Sequence, residues 1–260
     1  MILCGAPRIA KKSLKDKAEK SSTRLKDIHS EKIETLTEEL HQIRKKVPDA
    51  HKMKMDFERS KLHVGKILVS AKGINFGYTH PYLWEQPLSF EIRSGERISI
   101  KGRNGSGKTT LLKIILGDIQ PPIGSMDLAE SKAIYIDQDY TLINQNHTVF
   151  EQAWSYNQEA LQEHEVKIRL NRFLFDKESW IKTCSALSGG EKMRLLLCCL
   201  MISNRSPDLF VLDEPTNNLD IENLGILTNA IQEYEGTVVV VSHDEYFLNE
   251  INIQRVIKLA

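Results

Sequence analysis

Eight consecutive residues match the pattern GxxxxGK[ST], which lets a polypeptide wrap its backbone around phosphate groups. Its glycines allow backbone N–H groups to turn inward toward phosphate oxygens, Lys108 can reach the β- and γ-phosphates, and Thr109 offers a hydroxyl to Mg²⁺. Residues 97–100 read as a strand and residues 110–116 as a helix that ends at Gly117, which is the strand–loop–helix setting that the pattern requires. We therefore expect a nucleotide phosphate site at the following residues. They are Gly102, Arg103, Asn104, Gly105, Ser106, Gly107, Lys108, Thr109 and the adjoining Thr110.

The apolar stretch 209–212 reads as a buried strand that ends in two acids, Asp213 and Glu214. In isolation these acids could simply begin a turn before Pro215. A strand that runs to the carboxyl edge of a parallel sheet, however, delivers its last residues to the phosphate site. Asp213 would then hold Mg²⁺, directly or through water, and Glu214 would polarise the attacking water as a general base.

A capping box is predicted at the start of another helix. Ser188 is the expected N-cap, Glu191 follows three residues later, and an apolar run covers residues 193–202. A capped helix start with glycines in its first turn is also a second anion site, because its first N–H groups have no partner within the helix. Nothing in the local sequence says whose phosphate it binds.

The pattern of apolar residues from position 67 onward predicts an α/β domain. Residues 67–76 and 89–100 alternate apolar and polar side chains, as half-buried strands do. Short apolar runs at 133–136, 209–212 and 238–241 are typical of buried strands, and helical stretches separate them. This alternation of strands and helices indicates a largely parallel sheet.

Two polar residues, Gln138 and His243, each follow a predicted buried strand. Taken alone, each is more often a hydrogen-bonded residue at a strand end than a catalytic one. They become candidates for the site only as members of the whole set, because parallel strands bring their carboxyl ends to one edge of the sheet.

The charges divide the chain into two unlike parts. Residues 1–66 hold 17 Lys/Arg and 10 Asp/Glu, whereas residues 67–260 hold 18 and 25, so a net charge of zero hides a basic segment before an acidic one.

The longest apolar run, 195–202, is too short to cross a bilayer, and the first residues lack the pattern of a signal peptide. We expect a cytoplasmic protein without a membrane span. The four cysteines form no CxxC pair, and this fits a reducing compartment. They are Cys4, Cys184, Cys198 and Cys199.

Residues 1–66, which we call the basic arm, are expected to form a helical linker or coiled-coil arm. Apolar residues recur at spacings near three and four, and Pro48 ends the pattern. So narrow a seam needs a partner helix. The arm could be a solvated coiled coil without a ligand, or its Lys/Arg faces could meet phosphates. The seam consists of Leu25, Ile28, Ile33, Leu36, Leu40, Ile43 and Val47.

Taken together, the motifs resemble those of an ABC-type nucleotide-binding domain over about residues 67–260. They follow the family's order: phosphate loop, Q-loop at Gln138, signature at 187–191, Walker B acids, D-loop at 217–220 and switch histidine. The resemblance implies an α/β fold of the P-loop NTPase class, of the ABC ATPase type. It has a mixed sheet core, an antiparallel β subdomain and a small helical subdomain, and the basic arm precedes it as a long charged α-helical linker.

The same resemblance implies ATP and Mg²⁺ as cofactors and assigns roles to single residues. Tyr78 is similar to the aromatic residue that stacks on adenine, Glu214 to the hydrolytic base, and His243 to the γ-phosphate sensor. Three residues would gather around Mg²⁺. They are Thr109, Gln138 and Asp213.

In this family two domains close face to face, so that the signature of one completes the site of the other. The chain carries each motif once, which implies a partner domain, either a missing first half or a second copy of the chain. The signature and D-loop residues assigned to nucleotide binding are Ser188, Gly189, Gly190, Glu191 and Asp220.

Residues 212–220 and 241–248 resemble the ABC-F group of soluble, ribosome-acting ATPases more than transporter subunits, and Glu191 stands where transporter signatures usually have Gln. This resemblance implies a translation factor or an antibiotic-resistance protein that protects ribosomes, with the basic arm on ribosomal or transfer RNA. The alternative is the ATP-binding subunit of an ABC transporter. A DNA-repair ATPase would need longer coiled coils. Lys101 departs from the family pattern, which usually has an apolar residue there.

Overall fold

The computed structural model of the chain describes residues 63–77, 81–158, 160–203 and 207–259. The basic arm, apart from its last four residues, lies outside these ranges, and so does Tyr78. Two short 3₁₀ turns lie at Ser179–Ile181 and Cys184–Ala186. In chain order the strands and helices are β1 (Ile67–Asn75), β2 (Leu88–Arg93), β3 (Arg97–Lys101), α1 (Lys108–Leu116), β4 (Ile123–Leu128), β5 (Ala133–Ile136), α2 (Val149–Ser155), α3 (Glu163–Arg172), α4 (Gly189–Ile202), β6 (Leu209–Asp213), α5 (Ile221–Glu233), β7 (Thr237–Val241), α6 (Glu245–Glu250) and β8 (Arg255–Lys258).

The central sheet has five strands in the order β5-β6-β7-β3-β8, and all its pairings are parallel. Helices connect β5 to β6, β6 to β7 and β7 to β8, and such crossovers return each strand in the same direction. The sheet therefore differs from the mixed core that we expected, because the antiparallel pairs belong to a separate sheet. Within the described residues, β1 pairs antiparallel with both β2 and β4.

The stretch 89–100, in which alternation predicts half-buried strands, contains parts of two strands in different sheets. β2 belongs to the antiparallel sheet and β3 to the parallel one, and a turn through Gly95 separates them. Gly95 has φ +85°, a backbone conformation that L side chains rarely adopt, which explains glycine at the point where the chain changes sheets.

The parallel sheet is covered on both faces. In β6, Phe210 and Leu212 pack into the apolar cluster formed with α2, α3, α4 and α5, whereas Leu209 and Val211 join the cluster formed with α1 and the antiparallel sheet. The valines of β7 alternate in the same way. Because both faces are buried, the carboxyl edge of the sheet is the surface left for a ligand.

The segment between Gln138 and Ser188 forms a compact helical insert with α2, α3 and the two 3₁₀ turns, and this insert matches the small helical subdomain that the resemblance implies. No helix in the ranges that the structure describes combines the length and apolar character needed to span a membrane.

Candidate active site

An open cleft of about 600 Å³ lies at the carboxyl edge of the parallel sheet. The loop before α1 supplies one wall, and residues after β5, β6 and β7 supply Gln138, Glu214 and His243. The topology thus gathers side chains that are far apart in sequence. The previously assigned residues on the cleft lining are Asn104, Gly105, Gly107, Lys108, Thr109, Thr110, Gln138, Glu214 and His243.

The loop before α1 is a tight turn that glycines make possible. Gly105 and Gly107 have φ of +80° and +87°, in the left-handed region that favours glycine. Lys108, the first residue of the helix, donates from Nζ to the carbonyl oxygens of Gly102 at 3.0 Å and Arg103 at 3.3 Å. The ammonium group therefore lies over its own loop, beside the backbone amides expected to receive phosphate.

A hydrogen bond from an aromatic side chain that no sequence motif marks supports this loop. The indole Nε1 of buried Trp84 donates to the carbonyl oxygen of Ser106 at 3.0 Å. A Cβ added at Gly107 would lie 2.9 Å from Leu83 Cδ1 and 3.3 Å from Trp84 Nε1, so a larger residue would crowd this wall. No motif marks Leu83 or Trp84, and Leu83 itself lines the cleft.

Asp213 is held by two hydroxyl groups at the end of β6. Thr109 Oγ1 and Tyr135 OH both donate to its Oδ2, at 2.8 and 3.1 Å. Asp213 is only 4% exposed. Burial of the Tyr135 hydroxyl, followed by the negative charge of Asp213, raises the pKa of Tyr135. Since Mg²⁺ prefers oxygen ligands, this hydroxyl–carboxylate pair, with Gln138 on the same cleft, fits a magnesium ion.

Glu214 and His243 form a pair on the cleft, with 3.3 Å between Glu214 Oε1 and His243 Nε2. The glutamate side chain is 8% exposed and the histidine 66%, so one is shielded while the other faces the opening. Glu214 has φ +50°, and its N–H donates to the carbonyl oxygen of Val241 at 2.8 Å. A strained conformation of this kind at a site residue persists only where neighbouring structure fixes it, here the end of β7.

The capping box at Ser188 is present. Glu191 N–H donates to Ser188 Oγ at 3.3 Å, and Ser188 N–H donates to Glu191 Oε2 at 2.8 Å. Partial burial opposes ionisation of Glu191, but these bonds, together with the charges of Lys182 and Arg194, lower the pKa of the carboxyl group. Asp220 caps α5 by accepting from Asn223 N–H at 2.8 Å.

Several assigned residues do not line the cleft in the part of the chain that is described. Gly102, Arg103 and Ser106 contribute backbone carbonyls to Lys108 and Trp84, and Asp213 lies behind Thr109. Asn217 lines the cleft although it was named only as part of the D-loop stretch. The signature and D-loop residues off the lining are Ser188, Gly189, Gly190, Glu191 and Asp220.

The family model described as "ABC transporter" matches residues 86–217, about half of the chain, and spans both the phosphate loop and the acids after β6. This chain belongs to the ABC transporter family and contains its ATPase domain.

The chain is also similar to curated proteins that are named as ATP-binding proteins or as members of the ABC transporter F family. ABC transporter F family member 5 of Arabidopsis thaliana is 39% identical over 75% of this chain and 28% of its own length. The probable ATP-binding protein YbiT of Escherichia coli O157:H7 is 37% identical over 70% of this chain and 34% of its own. ATP-binding protein Uup of Escherichia coli strain K12 is 37% identical over 62% and 26%. The chain thus spans about a third or less of these relatives.

Solved structures share the fold at low sequence identity. The dimeric ATP-binding cassette MJ0796, in a post-hydrolysis state with ADP and Pi, aligns with a TM-score of 0.57 at 23% identity, covering 74% of this chain and 94% of that one. A bacterial Atm1-family ABC exporter with ATP bound aligns with a TM-score of 0.61 at 18% identity, covering 78% and 40%.

Proposed function

We propose that this chain binds and hydrolyses ATP with Mg²⁺ as part of an ABC-F type ATPase that acts on the ribosome. The observation that carries the ATPase proposal is the meeting of two pairs, Thr109 with Asp213 and Glu214 with His243, at one edge of the sheet beside Lys108. The first pair suits a cation and the second suits a proton transfer.

The loop 102–109 and the start of α1 are proposed to bind the triphosphate. Their backbone N–H groups and the positive end of α1 favour anions, and Lys108 Nζ can turn from the loop carbonyls to the β- and γ-phosphates. Tyr78 remains our proposed partner for the adenine ring. A bound Mg²⁺ would neutralise phosphate charge, held by Thr109, Gln138 and Asp213.

Glu214 is proposed as the general base that accepts a proton from the attacking water. Its carboxylate is shielded and its backbone is fixed to the end of β7, so its position relative to the γ-phosphate is preset. His243 lies 3.3 Å from that carboxylate and faces the cleft, which suits contact with both the base and the γ-phosphate.

A second domain is proposed to complete the site. The first N–H groups of α4, at Gly189 and Gly190, have no partner within the helix, and the signature residues do not line this chain's own cleft as described. Ser188–Glu191 and Asp220 would therefore face the nucleotide of a partner. That partner is the first half of a longer chain or a second copy.

The ribosome proposal rests on the relatives of the F family and on charge. We propose that residues 1–66 form a linker arm separate from the domain at 67–260, and that their excess of basic residues binds ribosomal or transfer RNA phosphates. A translation factor and an antibiotic-resistance protein that protects ribosomes would both use this arrangement in the cytoplasm.

A second candidate, the ATP-binding subunit of an ABC transporter, would need an exposed apolar face near Gln138. Leu142 and Trp154 are 40% and 43% exposed on the insert that follows Gln138. Gln152 Nε2 donates to the Leu142 carbonyl at 3.3 Å, which ties this segment to α2. The exposed pair is the observation that favours this candidate.

Two substitutions test the ATPase proposal. Glu214→Gln removes the base while keeping the side-chain shape, so it should bind Mg-ATP with affinity similar to the parent but lose turnover. Lys108→Ala should lose nucleotide affinity, since it removes the charge that meets the phosphates. Equilibrium binding of ATP and release of phosphate are measured on both. Hydrolysis by Glu214→Gln at the parent rate would exclude Glu214 as the base, and unchanged binding by Lys108→Ala would contradict the phosphate site.

A further inference from the structure

We propose that Tyr135 is a positioning residue for the divalent cation, because its hydroxyl fixes the orientation of the Asp213 carboxylate. The proposal rests on the ATP and Mg²⁺ site proposed above. No motif includes Tyr135, and the sequence assigns it no role beyond the buried strand β5.

The register of the sheet places Tyr135 within reach of Asp213. β5 and β6 are neighbouring parallel strands, and Tyr135 pairs with Val211, two residues before Asp213 on β6. Side chains two residues apart on a strand lie on the same face of the sheet, so a long phenol can lean along the strand to the carboxylate at its end. The resulting distance from Tyr135 OH to Asp213 Oδ2 is 3.1 Å.

The contact matters because the side-chain torsion of Asp213 does not by itself fix the orientation of its carboxylate. The χ2 torsion of aspartate is broad, so neighbouring donors decide how the two oxygens are turned. Thr109 approaches from α1 and Tyr135 from β5, and both donate to the same oxygen, Oδ2. Donors from two separate elements fix the carboxylate where a single one would leave it free to rotate.

This arrangement also orients the Thr109 hydroxyl. Its one proton is directed at Asp213 Oδ2 over 2.8 Å, so its lone pairs remain for a cation. If the carboxylate rotated, the hydroxyl would lose its fixed acceptor and the two oxygen ligands would no longer be prearranged. Removing the Tyr135 hydroxyl should thus weaken the cation-dependent part of nucleotide binding and spare the rest.

Tyr135→Phe tests this with little change of shape, because only the hydroxyl is lost. Tyr156→Phe is the matched control. Its hydroxyl contacts the Leu142 carbonyl at 3.5 Å in the helical insert, and Tyr156 does not line the cleft as described. ATP affinity of the full chain is measured by titration calorimetry with Mg²⁺ and again with EDTA, and Mn²⁺ binding with ATP is followed by electron paramagnetic resonance.

We expect Tyr135→Phe to bind ATP about tenfold more weakly than the parent with Mg²⁺, and to equal the parent in EDTA. Its Mn²⁺ affinity should fall in parallel, and Tyr156→Phe should match the parent in all three measurements. Equal affinities with Mg²⁺, or equal losses with and without it, would overturn the positioning role. If the parent itself bound no ATP, the proposed function would fail first, and this inference with it.

Discussion

Gly190, in the first turn of α4, lies against the side chain of Asn223 in α5. A Cβ added there would overlap the side-chain amide of Asn223, which is buried at 6% exposure. A Cβ at neighbouring Gly189 would meet only the carbonyl oxygen of Asn218 at 4.0 Å. The two signature glycines therefore differ in the space around them, although the sequence motif treats them alike.

Gly190→Ala should lower the free energy of unfolding by about 1–3 kcal/mol, since the overlap forces α4 and α5 apart. Gly189→Ala is the matched control and should stay within about 1 kcal/mol of the parent, as the helix preference of alanine offsets any crowding. Urea unfolding followed by circular dichroism measures both. In the double variant Gly190→Ala with Asn223→Ala, the loss should be smaller than the sum of the single losses. Similar effects at both glycines would refute the close contact.

Sequence motifs identified those side chains whose role is indicated by the residues next to them in the sequence. Lysine in a phosphate loop, and a serine with a glutamate three residues later, carry local signals, and the Ser188–Glu191 box is confirmed. Tyr135, Trp84 and Asn223 carry none. Each acts through a contact with a residue distant in sequence, and only the sheet register or helix crossing determines that partner.

At the scale of elements, β3 ends with the charged residue that departs from the family pattern. Lys101 Nζ donates to both carboxylate oxygens of Glu245, at 2.6 and 2.8 Å, in the first turn of α6. The carboxylate also lies at the positive end of that helix. The ion pair therefore accounts for a lysine where an apolar residue was expected.

A capping box at the start of α2 makes stability depend on pH. Thr148 N–H and Oγ1 donate to Glu151 Oε2, and these bonds lower the pKa of Glu151 below its ordinary value of 4.5. A lowered folded-state pKa adds stability above the ordinary pKa, and that stability is lost as the pH falls through the folded value.

Glu151→Ala should accordingly lower the melting temperature at pH 7, and its difference from the parent should shrink as the pH falls below the ordinary pKa. Exposed Glu130 provides the control, since Glu130→Ala removes a carboxylate outside any cap. Differential scanning fluorimetry between pH 7 and pH 3 measures both. A difference that grew on acidification would contradict the sign argued here.

Patterning predicted the buried strands well, because β6 and β7 are continuous apolar runs of a kind that only a strand buried on both faces requires. The pattern of apolar residues could not show that β2 and β3 belong to different sheets. Alternation indicates that one face of a strand is buried, but it does not indicate which strand lies beside it. The start of α1 at Lys108 rather than residue 110 was missed for a similar reason, because neither Lys108 nor Thr109 adds an apolar residue to the helical pattern.

At the scale of the whole molecule, the fold brings residues from four connections to one edge of a sheet while each face stays buried. That arrangement would allow one domain to combine the proposed phosphate site, the proposed cation ligands and the proposed base. The signature residues, in contrast, do not line the cleft described above. The proposed activity therefore depends on assembly with a partner domain as well as on this fold.

In the proposed function, the ATP-bound state of the chain acts on ribosomes. The most direct test of this proposal is sedimentation of the Glu214→Gln protein with Mg-ATP, against purified ribosomes and against membranes at matched salt, with Lys108→Ala as the control that should not respond to ATP. We predict that Glu214→Gln co-sediments with ribosomes and that binding falls steeply as salt rises, because basic side chains on RNA phosphates release counterions. Sedimentation with membranes alone, or ribosome binding that is the same with and without ATP, would contradict the ribosomal role.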